Sequence, residues 1–282
     1  MTRDERQWLV RLKPNLERRE LIYRFIRDFF RDEGFIEVET PIRVPGVAPE
    51  LHILPYRSED WFLSTSPELH MKRLLAAGYP RLYQFSRCFR KRERGKLHNP
   101  EFTMLEWYRI GGDYLQMMRD TEQIVLRIAK GLKLEPVIEY RGQKIDLTLP
   151  WPQITVREAY LRYAGWDPTS EHDPVRFDLD QVNKVVPGFA PDRPTIILDY
   201  PTPMAALSRL KPGDPCVAER AEVFIGGLEL ANAYSELNDV KEQERRFQAE
   251  ITQIEREQGW RPTMPQRFIK AIAHLPDCGG IA

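Results

Sequence analysis

The sequence lacks several features that would assign it to a specialised class of protein. Its 42 lysine and arginine residues are balanced by 42 aspartate and glutamate residues, whereas a dedicated nucleic-acid binder usually has a basic excess. No apolar run approaches the roughly 20 residues of a membrane span, and residues 1–12 lack the apolar core of a signal peptide. We therefore expect no contact with a membrane, and we do not expect tRNA to be the main partner.

Cysteine is scarce as well. Cys88, Cys216 and Cys278 are scattered and form no CxxC pair, which argues against a zinc site and fits a reducing cytoplasm. The chain shows no internal repeat and no low-complexity tract. Its 282 residues are enough for one large domain or two modest ones with a sizeable core.

Two predicted strands joined by a charged loop form the most informative stretch of the chain. Side chains alternate between two faces over residues 82–89 and again over residues 102–109, as they do in half-buried strands. The loop over residues 91–98 is rich in lysine, arginine and histidine. On charge alone it is an ordinary solvated hairpin loop. The functional alternative is a flexible clamp over a polyphosphate, with Arg90 anchored at the strand end.

Two helices are predicted before this hairpin. Apolar residues recur at helical spacing over residues 16–34, and a strand over residues 35–40 follows and ends at Pro41. Farther along, Ser66 can cap a helix that has Pro67 at its first position and Glu68 in its first turn.

The pattern after the hairpin predicts a mixture of helices and strands. Residues 165–194 are rich in aspartate and proline and poor in periodicity, so we expect them to be irregular. The predicted elements are helices over 114–132, 156–163, 239–258 and 267–274, a hairpin over 139–149, and strands over 195–201 and 221–226.

Two acidic residues follow the strand at 221–226, and their spacing shows whether both can serve one site. Glu229 and Glu236 are seven positions apart, so on an unbroken strand they would point to opposite faces. If both serve one site, a bulge must lie between them, and we place it at Asn232 or Ala233. Such carboxylates suit Mg²⁺ on phosphate oxygens or a substrate ammonium. The plain alternative is two surface acids at a strand edge.

Three segments resemble the motifs of class II aminoacyl-tRNA synthetases. The resemblance to motif 2 lies in Arg90 and in the segments 98–102 and 106–108, and it is strongest for the lysyl branch of the family. The helix and strand that end at Pro41 resemble motif 1, which forms a homodimer interface in that family. Residues 275–282 resemble the first half of motif 3, whose phosphate-binding arginine lies beyond this sequence.

The resemblance implies an α+β fold, with a mainly antiparallel sheet flanked by helices. It implies one catalytic domain over residues 1–282, with an incomplete motif 3 and no anticodon-binding domain. ATP and Mg²⁺ are the implied cofactors. Glu93 stands one place later than the motif 2 glutamate of the family, which puts its contact with adenine in doubt.

The resemblance also assigns roles to individual residues. The implied catalytic residues are Arg90, Glu229 and Glu236, and the implied metal ligands are Glu229 and Glu236. The implied residues for the amino-acid substrate are Ser66, Pro67, Glu68, Tyr108, Asn232, Glu236 and Ala282. The implied ATP-binding residues are Arg90, Lys91, Arg92, Glu93, His98, Asn99, Phe102, Glu229 and Leu230.

Within this group the sequence is most similar to the elongation factor P lysine ligases, which share Ala282 where lysyl-tRNA synthetases usually have glycine. That resemblance implies activation of lysine or (R)-β-lysine as an adenylate and its transfer to a lysine of elongation factor P, by a homodimer. One alternative is a short lysyl-tRNA synthetase that charges tRNA. The other is a non-catalytic paralogue.

Overall fold

The computed structural model describes residues 2–282 of the chain. Its strands are β1 (Ile36–Glu37), β2 (Arg43–Val44), β3 (Arg57–Ser58), β4 (Trp61–Leu63), β5 (Arg81–Phe89), β6 (Glu101–Ile110), β7 (Val137–Tyr140), β8 (Gln143–Asp146), β9 (Gln153–Thr155), β10 (Thr195–Pro201), β11 (Leu210–Lys211), β12 (Asp214–Ile225), β13 (Leu228–Ser235) and β14 (Cys278–Ile281). Its helices are α1 (Arg3–Asp32), α2 (Glu68–Ala76), α3 (Tyr114–Gly131), α4 (Val156–Tyr163), α5 (Pro174–Asp180), α6 (Val186–Gly188), α7 (Val240–Gln258) and α8 (Gln266–Ile272).

One large sheet organises these elements. Its strand order is β1-β5-β6-β14-β13-β12-β10-β9, and β11 pairs with β12. Neighbouring strands are antiparallel except for the two outer pairs, β1 with β5 and β10 with β9. The predicted α+β class, with a mainly antiparallel sheet flanked by helices, is therefore confirmed. None of the helices within residues 2–282 is both long and apolar enough to cross a membrane.

The alternation along the central strands gives the sheet two different faces. On the first face, Tyr83, Trp107 and Ile281 pack against Phe30 of α1 and Met117 of α3 in the largest apolar core. These side chains come from strands that are adjacent in the sheet, so their burial fixes the register of β5, β6 and β14. The faces predicted for residues 82–89 and 102–109 are confirmed.

The second face is apolar only near its two ends. Near one end, Leu82 and Tyr108 pack against α2, α7 and α8. Near the other end, Tyr200 and Phe224 pack against α4 and α5. The strands between these clusters present polar side chains to the same face, because their neighbours in sequence are buried on the first face. The polar residues of this central stretch are Glu106, Arg220, Glu222, Asn232 and Glu236.

Helix α1 is longer than the sequence predicted. It begins at Arg3 rather than at residue 16, because Thr2 and Glu5 cap its start reciprocally and Pro14 is accommodated within it. Its end before Gly34 is as predicted, and Gly34 has a φ of +74°. The strand that follows is only Ile36–Glu37, shorter than the predicted 35–40.

Residues 174–188 are helical, so the prediction of irregular structure over 165–194 was wrong for this half of the segment. Asp173 caps α5 by accepting a hydrogen bond from the backbone N–H of Arg176 at 2.9 Å, and Pro174 occupies the first turn. A π-helical turn, Gln181–Val185, continues into α6. Phe177 and Val185 hold this segment against the sheet. These helices are so short that their apolar residues show no clear helical repeat in the sequence.

Candidate active site

Lys72 lies at the centre of the polar stretch on the second face. It follows Glu68 by one turn of α2, and its Nζ is 2.5 Å from both Glu68 Oε1 and Glu236 Oε2. The side chains of Lys72 and Glu236 are each 1% exposed. Although burial opposes the charge, the carboxylates of Glu236 and Glu68 raise the pKa of Lys72. Lys72 is therefore an ammonium ion held between two carboxylates.

A third carboxylate, Glu106, lies beside this pair and has hydroxyl groups as partners. Ser66 Oγ donates to Glu106 Oε2 at 2.9 Å, and Tyr108 OH donates to Glu106 Oε1 at 2.5 Å. Burial and the negative charge of Glu68 raise the pKa of Glu106 to about 8. These contacts bring together four of the predicted substrate-binding residues: Ser66, Glu68, Tyr108 and Glu236.

The start of α2 places Ser66 and Glu68 at this cluster. Ser66 Oγ accepts a hydrogen bond from the backbone N–H of Glu68 at 3.0 Å, so it satisfies the first N–H of the helix, although it lies one residue before the N-cap position that was predicted for it. Pro67 precedes the first helical residue instead of being part of the helix. The turn at Ser66-Pro67 therefore directs the side chains of Ser66 and Glu68 toward the same buried space.

Strand β14 brings the backbone close to this cluster. A Cβ atom on Gly280 would overlap both the Glu236 carboxylate and the Tyr108 ring, so only glycine fits there without rearrangement. Two residues farther on, Ala282 exchanges both backbone hydrogen bonds with Asn232, at 2.9 and 3.1 Å. Ala282 and Asn232, both predicted substrate-binding residues, are therefore neighbours.

Strand β13 contains the bulge that the acidic pair required, although at a different residue. The pairing of β12 with β13 shifts by one residue at Leu230, which is the extra residue of the bulge. The position predicted from the sequence, Asn232 or Ala233, was wrong. The bulge turns Glu229 to the face that carries Glu236. Leu230 itself is exposed.

Arg220 and Glu222 extend the site along β12. Arg220 Nη2 donates to Glu222 Oε1 at 2.6 Å, and Arg220 Nε donates to Asn232 Oδ1 at 3.2 Å. Glu229 is exposed at the surface of the sheet, but the protein around its carboxyl group and then the charge of Glu222 raise its pKa to about 7, while Arg220 and Arg90 act in the opposite direction. Glu222 and Glu229 are therefore neighbouring carboxylates on one face.

Of the two predicted metal ligands, Glu229 and Glu236, a metal ion fits Glu229 better. Glu236 already has the Lys72 ammonium 2.5 Å away, whereas a dication near Glu229 would relieve its repulsion from Glu222. Within residues 2–282, no three His, Cys, Asp or Glu side chains converge into a ready-made metal site. Mg²⁺ does not require one, because it usually takes one or two carboxylates together with waters and phosphate oxygens.

Arg90 forms the other end of the site, immediately after β5. Its Nε donates to the Thr65 carbonyl at 3.3 Å, and its guanidinium carbon lies 5.3 Å from the centre of the Phe102 ring. Its ion pair with Glu93 is loose, at 3.9 Å. The guanidinium therefore keeps N–H groups for a phosphate, and Phe102 offers a flat apolar surface on which a base could stack. These features fit ATP.

The other predicted ATP-binding residues lie in the loop between β5 and β6. Lys91, Arg92, His98 and Asn99 are all exposed. The loop is tied down near its start, where the Lys91 N–H donates to the Leu54 carbonyl at 2.7 Å. These four side chains lie apart from the buried cluster, and their contact with ATP stays a prediction.

Sequence reasoning missed four residues that build the site, although patterns for three of them are present. Lys72 follows Glu68 at the i,i+4 spacing that places two residues on one helix face. Glu106 alternates with Tyr108 along β6, so both share a face. Glu222 precedes Glu229 by seven residues, as Glu229 precedes Glu236. Arg220 had no comparable pattern.

Comparison with known proteins accords with this geometry. A family model described as "tRNA synthetases class II (D, K and N)" matches residues 9–282. The chain is 37% identical to the "Lysine--tRNA ligase" of Moorella thermoacetica, over 93% of this chain and 59% of that protein. It is 35% identical to the "Elongation factor P--(R)-beta-lysine ligase" of Salmonella paratyphi B, over 95% of this chain and 88% of that protein. The chain thus spans less than two thirds of the Moorella relative and most of the Salmonella one.

Proposed function

The chain belongs to the class II tRNA synthetases of the D, K and N type, and we propose that it is an ATP-dependent ligase for a lysine-type amino acid. The ligase activates this amino acid, preferably (R)-β-lysine, as an adenylate. It then transfers the aminoacyl group to a lysine of elongation factor P. Residues 1–282 act as one catalytic domain in this proposal.

The observation that carries the proposal is the excess of carboxyl groups over cations in the buried cluster. Glu68, Glu106 and Glu236 surround the single ammonium of Lys72, so the cluster has more acidic groups than cations. A diamino acid brings additional ammonium groups, which form charge-assisted hydrogen bonds with carboxylates. In the proposal Glu68 and Glu236 orient the diamino acid, and Tyr108 closes the pocket beside them.

Arg90 and Phe102 bind ATP at the other end of the site. Arg90 grips the α-phosphate, because its planar fork can make two parallel hydrogen bonds to phosphate oxygens. The adenine stacks on Phe102, with Glu93 and the exposed loop residues near it. Glu222 and Glu229 hold Mg²⁺, which when bound would neutralise charge on the phosphate oxygens.

The chain's own residues then act by positioning and electrostatics. The substrate carboxylate attacks the α-phosphate, pyrophosphate leaves, and Arg90 stabilises the charge that develops on the phosphoryl group. Glu68 and Glu236 hold the amino acid so that its carboxylate faces that phosphate. A lysine amine of the acceptor then attacks the aminoacyl carbonyl carbon and releases AMP.

The choice of acceptor rests on the relatives and on one residue. The Salmonella relatives are named for elongation factor P, and Ala282, as in that group, exchanges backbone hydrogen bonds with Asn232. The Moorella relative is named for tRNA, so charging of tRNA with lysine is the second candidate. The even charge balance of the chain favours the protein acceptor.

The proposal also takes the ligase to be a cytoplasmic homodimer. Helix α1 carries the exposed apolar side chains Trp8, Leu9, Val10 and Leu16, which a second copy could cover. Sedimentation of the purified protein measures the mass of the particle directly. A monomer at micromolar concentration would contradict this part of the proposal.

The test offers ATP, (R)-β-lysine and one acceptor at a time to the purified protein. We expect elongation factor P to gain the mass of one β-lysyl group and tRNA to gain nothing. Charging of tRNA alone would favour the second candidate. If neither acceptor gains mass, amino-acid-dependent pyrophosphate exchange decides whether the protein forms an adenylate at all. Absence of exchange with every lysine-type amino acid would contradict the ligase function.

A further inference from the structure

Glu50 lies on a loop that crosses the active site between its two ends. Residues of segment 44–48, just before Glu50, line a small pocket together with residues of segment 64–70, which includes Glu68. Just after it, Leu54 pairs with Lys91, the residue that follows Arg90. Glu50 therefore stands between the amino-acid end, marked by Glu68, and the phosphate end, marked by Arg90.

The loop is held in this place by helix α7. The backbone N–H of Leu51 donates to Glu250 Oε2 at 2.9 Å, and Gln258 Nε2 donates to the Leu51 carbonyl at 2.6 Å. Both polar groups of the residue next to Glu50 are thus fixed, so the direction of the Glu50 side chain is constrained.

The Glu50 carboxylate is a free acid in a charged environment. It is partly buried, and within residues 2–282 its side chain has no hydrogen-bond or ion-pair partner. Burial, then Glu68, and then Glu250 raise its pKa to about 7, while Arg90 and Lys72 oppose this. Burial raises the pKa of Tyr234, on β13, and the charge of Glu50 adds to this, so Tyr234 is another titratable group near Glu50. An uncommitted carboxyl that titrates near neutral pH is suited to proton transfer.

We propose that Glu50 is the general base that removes a proton from the acceptor lysine in the transfer step. This rests on the function proposed above. The bond that must break joins the aminoacyl carbonyl carbon to an AMP phosphate oxygen, and that bond lies between an amino group held at Glu68 and a phosphate held at Arg90. Glu50 flanks this position on the loop side, and neither Glu68 nor Arg90 is free to act as the base there.

The proton balance of the step follows from the charge of lysine. The ammonium of the acceptor, with an ordinary pKa of about 10.4, gives one proton to the Glu50 carboxylate and becomes a neutral amine. The nitrogen attacks the carbonyl carbon, and the carbon–oxygen bond to AMP breaks with its electron pair left on the phosphate. The second proton of the nitrogen passes to that phosphate. Glu50 returns its own proton to solvent.

The experiment separates adenylate formation from transfer. The wild-type enzyme and the Glu50→Gln variant each form the adenylate from ATP and the amino acid. The enzyme-bound adenylate is then offered one of two acceptors, N-α-acetyl-lysine amide or hydroxylamine. Hydroxylamine is neutral near pH 7 and needs no base. We expect the variant to lose about 10²-fold in transfer to the lysine amide, the lower range for general-base catalysis, with pyrophosphate exchange and hydroxylamine trapping unchanged. Glu50→Asp should recover part of the transfer rate.

The pH profile adds a second readout. Transfer to the lysine amide by the wild-type enzyme should rise with pH and level off above a group of pKa about 7. In Glu50→Gln the slower transfer should follow only the fraction of neutral lysine amine, which keeps rising toward about pH 10, with no levelling-off near pH 7. The matched control is Glu250→Gln, which keeps an oxygen for the Leu51 N–H but removes a neighbouring charge. It should transfer normally, with the rise shifted to lower pH because Glu250 no longer raises the pKa of Glu50.

Three outcomes would overturn the proposal. Equal transfer to the lysine amide by wild type and Glu50→Gln shows that Glu50 is not the base. A raised KM for the amino acid in exchange, with unchanged transfer, assigns Glu50 to amino-acid recognition instead. A wild-type enzyme with no exchange contradicts the proposed function itself, and the role of Glu50 falls with it.

Discussion

The Lys72 ammonium and the Glu236 carboxylate lie 2.5 Å apart, and their side chains are each 1% exposed. Lys72 belongs to α2 and Glu236 directly follows β13, so the two residues are far apart in sequence. Glu68 holds the same ammonium from the other side at 2.5 Å. A buried ion pair is weak evidence for stability, since desolvation offsets most of the attraction. Its significance lies in what it arranges: two carboxylates are held in fixed positions beside a third, Glu106, in a site where a substrate ammonium is expected.

Replacing Lys72 by Met should destabilise the protein strongly at pH 8. The change leaves Glu68 and Glu236 buried without their cation, and breaking one partner of a buried pair costs about 3–5 kcal/mol. Urea unfolding of wild type and Lys72→Met measures the difference. Lys130→Met is the control, because Lys130 is exposed on α3 and such surface changes usually stay within about 0.5 kcal/mol.

The destabilisation by Lys72→Met should shrink as the pH falls from 8 to 5. Burial raises the pKa of Glu236, and Lys72 opposes this. Without the ammonium the folded pKa of Glu236 lies further above its unfolded value, so Glu236 takes up a proton as the pH falls and its unpaired charge disappears. A difference between the two proteins that stays constant with pH would mean that the lost packing of the lysine stem, and not its charge, causes the effect.

The sequence predicted the parts of the site that follow from local pattern. Ser66 and Glu68 were placed by helix-start chemistry, and the faces of β5 and β6 were placed by the period of two. The need for a bulge between Glu229 and Glu236 also followed from that period. Its exact position did not, because a bulge at Leu230 or at Asn232 would equally bring Glu229 and Glu236 to one face, and only the pairing with β12 distinguishes them.

The features that the sequence could not predict depend on long-range contacts. Lys72 is separated from Glu236 by much of the chain, and only the folded sheet brings them together. Glu50 has no local pattern at all; its position follows from the anchoring of Leu51 by Glu250 and Gln258. The segment 165–194 was predicted to be irregular because it is rich in aspartate and proline and poor in periodicity, whereas tertiary packing around Phe177 stabilises helices over residues 174–188.

Glu106 should make the protein less stable as the pH rises from about 5 to 8. Its folded pKa of about 8 lies above its ordinary value, so the folded state keeps a proton that the unfolded state has already lost in this window. Stability then falls with rising pH, by at most about 1.4 kcal/mol per pH unit for one group. Glu106→Gln, which is uncharged at every pH, should show a flatter profile in urea unfolding.

A matched variant identifies the source of this slope. Glu244 is exposed on α7, and Glu244→Gln should keep the wild-type dependence on pH. If Glu106→Gln keeps it as well, the slope belongs to another acidic group of the site, and the assignment of the raised pKa to Glu106 is wrong.

Gly280→Ala should damage both stability and use of the amino acid. The added methyl group would overlap the Glu236 carboxylate and the Tyr108 ring, and overpacking of this kind costs about 1–3 kcal/mol. The displaced Glu236 should raise the KM for the amino acid in pyrophosphate exchange more than the KM for ATP. Gly95→Ala, at a position where nothing lies within 4 Å of the new Cβ, is the control for stability.

Glu222 and Glu229 should determine the requirement for Mg²⁺, and Glu236 should not. If the first two carboxylates hold the ion, Glu222→Gln and Glu229→Gln should each raise the Mg²⁺ concentration for half-maximal pyrophosphate exchange at least about 10-fold, the effect typical of losing even an indirect partner of a metal site. Glu236→Gln should instead raise the KM for the amino acid with little change in the Mg²⁺ dependence, because its carboxylate is committed to Lys72. An equal rise of the Mg²⁺ requirement in all three variants would place Glu236 among the metal ligands, as the resemblance alone implies. An effect of Glu236→Gln on Mg²⁺ with none from Glu222→Gln would remove Glu222 from the metal site.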